Sequence, residues 1–132
     1  MASKARFGWN ELATPDPEGS ATFYGSVLGW TMTKGPVPGD ESQEYCIFHN
    51  ADGMAAGMMK MIGPMWEGIP PHWLSYITVD DVDAACEAAK TSGGTIANGP
   101  FDIPTVGRMA VVIDPFGATF AMMTPVEGSE MG

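Results

Sequence analysis

The sequence TPDPEGSATFYGSVLG over residues 14–29 and the sequence VDDVDAACEAAKTSGG over residues 79–94 decide the fold. Each predicts an amphipathic helix with an acidic start, which suits the positive end of a helix, and a terminal glycine, which suits a left-handed cap. Asp16 aligns with Asp81 at an offset of 65 residues, and the terminal glycines Gly29 and Gly94 align at the same offset. An internal repeat therefore organises the chain.

Strand-like runs flank both helices in the same order. Each helix follows a first strand and precedes a short strand, a longer strand, a turn ending in glycine and a final strand. The predicted strands of the first half are residues 7–13, 30–33, 45–49 and 54–61, and those of the second half are residues 73–78, 95–98, 109–113 and 118–124. The unit is thus βαβββ, present twice, which predicts an α+β fold.

The order of the segments predicts one domain over residues 1–132, built from a first module at 7–61 and a second module at 73–124. The sequence between the modules, rich in proline and glycine, is a connector. We further expect exposed loops at residues 35–44 and 99–107 and a frayed tail at 127–132.

Composition excludes several classes of protein. With 45% hydrophobic and 17% charged residues, the 132-residue chain is not a disordered one. Its 16 acidic residues against 6 basic ones give a net charge of −10, which disfavours nucleic acid and anionic membranes as partners. No apolar run has the length of a membrane span or the pattern of a signal peptide. Cys46 and Cys86 lie in unrelated contexts, so we expect buried reduced thiols and a cytoplasmic location.

The repeat and its motifs resemble the vicinal oxygen chelate superfamily, which contains glyoxalase I, bleomycin-resistance proteins and extradiol dioxygenases. The residues that carry the resemblance are WNEL at 9–12, TPDP at 14–17, FY at 23–24, LGW at 28–30, PHWL at 71–74, VDDVD at 79–83, PFD at 100–102 and DPFG at 114–117. Within the superfamily the chain is most similar to a glyoxalase-like branch. The resemblance implies two paired modules, eight strands forming an open, barrel-like cleft, and a homodimer.

Members that use a metal place one His or Glu on the first and last strands of each half. In this sequence those four positions are Trp9, Gly57, Leu74 and Ala121. None of these side chains can bind iron, zinc or nickel. The resemblance therefore implies the fold, whereas the sequence predicts neither the usual metal nor any other cofactor.

Strand alternation predicts which residues face the cleft. The predicted ligand-binding set comprises Trp9, Glu11, Gly57, Met59, Leu74, Tyr76, Thr119, Ala121 and Met123. This mainly apolar set suits a flat or hydrophobic small molecule. The alternative is that these side chains fill the cleft themselves.

Two residues are candidates for catalysis. Glu11, in an apolar cavity, could act as a general base, or it could pair structurally with a neighbour such as Arg108 or a backbone amide. His72 could be an acid–base group or a single ligand, or a connector histidine bonded to backbone. His49, at the end of a strand, is expected on the surface.

Three functions follow from this pattern. The first is metal-independent binding of a small hydrophobic or aromatic molecule. The second is a metal-dependent glyoxalase-like lyase, isomerase or dioxygenase that uses non-standard ligands such as Glu11 and His72. The third is a structural module with a filled cleft.

Overall fold

The structure, a computed structural model, describes residues 3–37 and 40–126. Its helices and strands are β1 (Arg6–Thr14), α1 (Pro17–Leu28), β2 (Thr31–Val37), β3 (Asp40–Asn50), β4 (Gly53–Lys60), β5 (His72–Thr78), α2 (Val82–Thr91), β6 (Thr95–Ile103), β7 (Gly107–Ile113) and β8 (Thr119–Pro125). The βαβββ order thus occurs twice, and the predicted α+β class is confirmed. None of the helices in the described ranges is long and apolar enough to cross a membrane.

Helix α1 begins and ends as its sequence predicts. The Asp16 carboxylate accepts a hydrogen bond from the Gly19 amide at 3.0 Å, and Pro17 occupies a position where a helix needs no amide donor. Gly29 ends the helix in the left-handed conformation, with a φ of 75°, and its amide bonds the carbonyl of Gly25. The acidic start and the glycine end therefore fix both ends of the helix.

Helix α2 ends slightly earlier than the repeat predicted. Asp81 caps its start by accepting a hydrogen bond from the Ala84 amide at 3.2 Å. At its end the left-handed residue is Gly93, with a φ of 92°, rather than Gly94. The Gly94 amide instead reaches back to the carbonyl of Ala89 at 2.8 Å, which closes the last turn of the helix.

The two loops expected at residues 35–44 and 99–107 are largely strand. Strand β2 runs through Pro36, and β6 runs through Pro100, although proline cannot donate a ladder hydrogen bond. Both strands pair on one side within their module, and shifts in register at or near these prolines absorb the misfit. Residues 38–39 and the tail at 127–132 lie outside the described residues.

The chain divides into two compact units, one of residues 10–73 and one of residues 3–9 with 74–126, apart from the undescribed positions. In the first unit the strand order is β2-β3-β4-β1, with β4 and β1 parallel. In the second unit the order is β5-β8-β7-β6, with β5 and β8 parallel. The same arrangement of strands is therefore built twice.

Each helix packs on one side of the sheet of its own module. Under α1 lie the buried residues Leu12, Cys46, Phe48, Ala56 and Met58. In the second module, Val82 and Cys86 of α2 pack on Ala110, Val112 and Met122 of the sheet. The expectation of buried, unpaired cysteines is confirmed. The opposite side of each sheet, which we call the helix-free face, carries the alternate residues of the same strands.

Candidate functional site

The pairing of the strands places the predicted ligand-binding residues at equivalent positions of the two modules. Glu11 on β1 is opposite Gly57 on β4, and Tyr76 on β5 is opposite Ala121 on β8. These pairs are related by the same offsets of 65 and 64 residues that define the repeat. In each module they lie on the helix-free face, because their neighbours in sequence belong to the core under the helix.

A phenol and a carboxylate meet on the helix-free face of the first module. The hydroxyl of Tyr45 on β3 donates a hydrogen bond to Oε2 of Glu11 at 2.7 Å, and both residues are partly buried. Tyr45 is opposite Met59 in the sheet, and the neighbouring Gly57 is buried. The Glu11–Tyr45 pair therefore places two polar side chains beside Gly57 and Met59.

Tyr45 was absent from the predicted set, which drew only on the first and last strands of each module. Alternation along β3 offers a signal for it, because Cys46 and Phe48 belong to the core under α1. Tyr45 and Ile47 must then point to the opposite side. The repeat offers a second signal, since Tyr45 aligns with Met109, which lies on the helix-free face of the second module.

The helix-free face of the second module is apolar and closely packed. A hydrophobic cluster forms there from Tyr76, Met109, Ala121 and Met123, with Trp9 and Leu74 packed against it. Five of the predicted ligand-binding residues thus touch one another or share a neighbour. Thr119, at the exposed start of β8, stands outside the cluster.

His72 opens strand β5 and is held by the connector. Its Nδ1 lies 2.8 Å from the carbonyl oxygen of Pro70, to which the protonated nitrogen donates. The ring also lies beside Trp66, with 6.2 Å between ring centroids. These contacts are those of the connector histidine that was the alternative to a catalytic role. His49 is likewise engaged, with Nε2 at 2.9 Å from the hydroxyl of Thr33.

Arg108 binds two aspartates on the surface of the second module. Its Nε and Nη2 donate to the carboxylate of Asp83 at 2.8 and 3.1 Å, and its Nη1 donates to Asp102 at 3.2 Å. These hydrogen bonds from Arg108 lower the pKa of Asp83. Arg108 is thus engaged with Asp83 and Asp102 rather than with Glu11, for which it was the suggested structural partner.

The donor set for a metal ion does not fit the family's usual site. Trp9, Gly57, Leu74 and Ala121 occupy the four ligand positions and offer no side-chain donor. Within residues 3–37 and 40–126 no three His, Cys, Asp or Glu side chains are grouped so that they could hold a metal ion. Protein metal sites ordinarily need three or four such donors in one geometry.

A separate groove of about 670 Å³ lies between α2 and β6. Its lining includes Cys86, Ile96 and Pro100, and no residue of the predicted ligand-binding set. The charges at its rim are paired, since Glu87 binds Lys90 and Asp83 binds Arg108. The groove therefore offers no unpaired charge to orient a ligand.

The repeated module and its helix-free faces define a class of protein. The sequence profile of the Glyoxalase/Bleomycin resistance protein/Dioxygenase superfamily matches residues 6–122, and the chain belongs to this superfamily.

Two curated proteins are similar in sequence to most of this chain. The chain is 38% identical over 117 residues to the protein named "Putative glyoxylase CFP32" from Mycobacterium bovis, covering 89% of this chain and 43% of that protein. It is 34% identical over 136 residues to the anthracycline biosynthesis protein DnrV of Streptomyces peucetius, covering 93% of this chain and 49% of that protein. The chain thus spans about half the length of these curated relatives.

Solved structures show the same fold at low sequence identity. The methylmalonyl-CoA epimerase of Streptomyces coelicolor, in complex with 2-nitronate-propionyl-CoA, has a TM-score of 0.61 at 16% identity, covering 92% of this chain and 97% of that one. Hypothetical protein BH1468 of Bacillus halodurans has a TM-score of 0.67 at 12% identity, covering 96% and 99%. These likenesses concern the fold alone.

Proposed function

We propose that this glyoxalase-like protein binds a small hydrophobic or aromatic molecule without a metal ion. The observation that carries the proposal is the Glu11–Tyr45 pair, with 2.7 Å between its oxygens, on the helix-free face of the first module. Small-molecule sites are mostly apolar, with a few polar groups that set the orientation of the ligand. The pair supplies such groups beside Gly57 and Met59.

The chemistry of the pair selects the kind of ligand. The Glu11 carboxylate accepts hydrogen bonds, and the Tyr45 oxygen can both donate and accept. A planar ring system that carries a hydroxyl group satisfies both partners, because its hydroxyl can donate to the carboxylate while its rings cover apolar side chains. We therefore place hydroxylated aromatic molecules first among the candidate ligands.

The name of one relative and the charge of the chain support this choice of candidate ligand. DnrV is named for anthracycline biosynthesis, and anthracyclines are hydroxylated polycyclic aromatic compounds. The net charge of −10 also supports an uncharged or cationic small molecule as the partner, rather than nucleic acid or an anionic membrane.

Metal independence rests on the chemistry of the donors. Among the predicted site residues, Glu11 supplies the one carboxylate that could bind a metal ion, and it is hydrogen-bonded to Tyr45. His72 is hydrogen-bonded to the backbone of the connector. Two such residues would hold a transition metal only weakly. No step of the proposed binding therefore depends on a metal.

Two further parts of the proposal concern the state of the protein in the cell, and a third concerns one residue. We propose a homodimer, as the resemblance implies. We propose a cytoplasmic location, which two buried and unpaired cysteines support. We also propose that Thr119, exposed at the start of β8, takes part in ligand binding on the second module.

An enzyme is the second candidate, and the same pair favours it. A carboxylate that accepts a hydrogen bond from a phenol can take a proton from a substrate and return it, as a lyase or isomerase requires. Glu11 would then be the base, and Tyr45 would stabilise its charge. Turnover that is lost in Glu11→Gln, with binding retained, would identify this function.

The experiment is a thermal-shift screen of aromatic metabolites that includes an anthracycline. A ligand that binds the folded protein raises its melting temperature. Glu11→Gln and Tyr45→Phe should reduce the shift, whereas Tyr24→Phe should not. Tyr24 is the matched control, because its hydroxyl lies on the helix side of the same module, where it accepts a hydrogen bond from Trp73. A screen without any stabilising compound would favour the structural module.

A further inference from the structure

The two helices of the repeat differ in the side that they turn to solvent. On α1, Phe23 and Val27 are 58% and 60% exposed, and they lie one turn apart on the same face. At the offset of 65 residues, the equivalent positions are Ala88 on α2 and Ser92 at the C-terminal cap of that helix. The fold itself therefore does not require large apolar residues there.

The apolar side of α1 is also free of charge. One side of the helix, which we call the outer face of α1, carries the exposed residues Gly19, Thr22, Phe23, Ser26 and Val27, and Glu18 and Leu28 are exposed at the two ends of the helix. Residues 19–33 contain no Asp, Glu, Lys or Arg, and the nearest acid, Glu18, is paired with Lys34. By contrast, α2 carries Asp83, Glu87 and Lys90 on its exposed side.

Charge decides which partner suits this face. Two copies of a chain with a net charge of −10 repel each other over most of their surfaces. They can approach where charge is absent and apolar area is gained. A strongly basic partner, in contrast, would gain nothing from an uncharged face. The outer face of α1 therefore suits a second copy of this chain better than a partner of opposite charge.

The shape of the face suits contact with itself around a twofold axis. In such a contact the same patch of both copies is used, so the patch must be complementary to itself. A large side chain of one copy then needs a small residue opposite it on the other copy. Phe23 lies between Gly19 and Ser26 along the helix, which leaves room beside it for the partner's aromatic ring. The outer face of α1 thus offers both the protruding and the receding residues.

The size of the face predicts the strength of the contact. A helix of 12 residues is about 18 Å long, so two crossing helices cover less than the roughly 800 Å² per partner of a standard interface. The contact should therefore be weak, with a dissociation constant on the order of micromolar.

We propose that the outer face of α1 is the surface through which two copies of this chain associate. The inference rests on the homodimer in the proposed function and names its interface. It requires no ligand, because the interface lies on the helix side of the first module and the Glu11–Tyr45 pair lies on the other.

The experiment is sedimentation velocity of the full chain over a concentration series from below to well above micromolar. The wild-type protein should shift from monomer to dimer, and added salt should strengthen the dimer because it screens the acidic repulsion.

The double variant Phe23→Ala and Val27→Ser, which installs the residues found at the equivalent positions of the second half, should weaken association by roughly tenfold or more. Phe23→Glu should abolish it. The control Ala88→Glu, at the equivalent position of α2, should leave it unchanged.

Each outcome has a separate meaning. A wild-type protein that stays monomeric throughout overturns both the homodimer and this interface. A dimer that survives Phe23→Glu overturns the interface but leaves the homodimer standing. The melting temperature of each variant verifies its fold, and the thermal shift with the screened ligand, measured on the same samples, tests the binding function independently.

Discussion

The hydroxyl of Tyr45 donates a hydrogen bond to the carboxylate of Glu11 at 2.7 Å, and this relationship exists in one half of the repeat. The equivalent residues of the second module are Met109 and Tyr76, which lie in an apolar cluster. Two modules of one fold thus carry different chemistry on their helix-free faces. The first holds a polar pair, and the second holds packed hydrophobic side chains.

Removing the hydroxyl of Tyr45 should weaken binding of the ligand found by screening. A hydrogen bond to a charged group contributes roughly 1.5–3 kcal/mol, and about 1.4 kcal/mol corresponds to tenfold in affinity. The dissociation constant of Tyr45→Phe should therefore rise about tenfold or more in a fluorescence titration. An unchanged constant, with Tyr24→Phe also unchanged, would show that the pair is structural.

The turn of the second module should make stability depend on pH. The amides of Ala118 and Phe116 donate to the carboxylate of Asp114 and lower its pKa below the ordinary 3.8. Because the folded pKa is lowered, this stabilisation is present above about 3.8 and is lost as the pH falls through the folded value. Asp114→Ala should therefore lower the melting temperature at neutral pH, and the difference from the wild type should shrink in acid.

The first module supplies the control for this prediction. Asn50 occupies the equivalent position, and its side-chain oxygen accepts a hydrogen bond from the Asp52 amide at 2.8 Å. An amide does not titrate, so the effect of Asn50→Ala on melting temperature should not follow the same pH profile. Parallel profiles for the two variants would refute the assignment to Asp114 ionisation.

Both thiols should resist modification in the folded protein. Cys46 and Cys86 are 2% exposed, and burial raises the pKa of each thiol. The thiolate is the reactive form, so a disulfide reagent at neutral pH should modify the native protein slowly and the denatured protein at both positions. Rapid reaction of either cysteine under native conditions would contradict the buried placement.

Gly107 should not tolerate a side chain. A Cβ at this position would lie 2.5 Å from the carbonyl oxygen of Thr124 and 2.9 Å from Cα of Pro125, both on the neighbouring strand. Because backbone atoms cannot move aside without shifting β8, Gly107→Ala should lower the free energy of unfolding by about 1–3 kcal/mol. Gly35→Ala is the control, since a Cβ there meets nothing within 4 Å. Equal effects of the two substitutions in chemical denaturation would contradict this account.

The repeat in the sequence predicted the helices and turns because their signals are local. Asp16, Asp81 and Gly29 act on backbone groups within a few residues of themselves, so their roles can be inferred without tertiary structure. The strands through Pro36 and Pro100 escaped prediction because proline usually marks a loop. Pairing on a single side within the module and shifts of register accommodate it.

The candidate site could be predicted only in part for a related reason. Alternation along β1 and β4 placed Glu11 and Gly57 on one face, which their register matches. The partner of Glu11 is Tyr45 on β3, and that pairing depends on a hydrogen bond across 34 residues of sequence. Similarly, Trp9 lies on β1 of the first module yet packs with the cluster of Tyr76 and Met109, a contact that no local pattern encodes.

The most direct measurement of the central claim is a titration of the ligand found by screening into protein dialysed against a chelator, with elemental analysis of the same sample. We expect no stoichiometric iron, nickel, zinc or manganese, an unchanged melting temperature, and the same dissociation constant before and after the chelator. The contradicting result is about one tightly held transition metal ion per chain, whose removal abolishes ligand binding. In that case the Glu11→Ala or the His72→Ala variant should purify without the metal. That result would make the metal-dependent enzyme the better account of this protein.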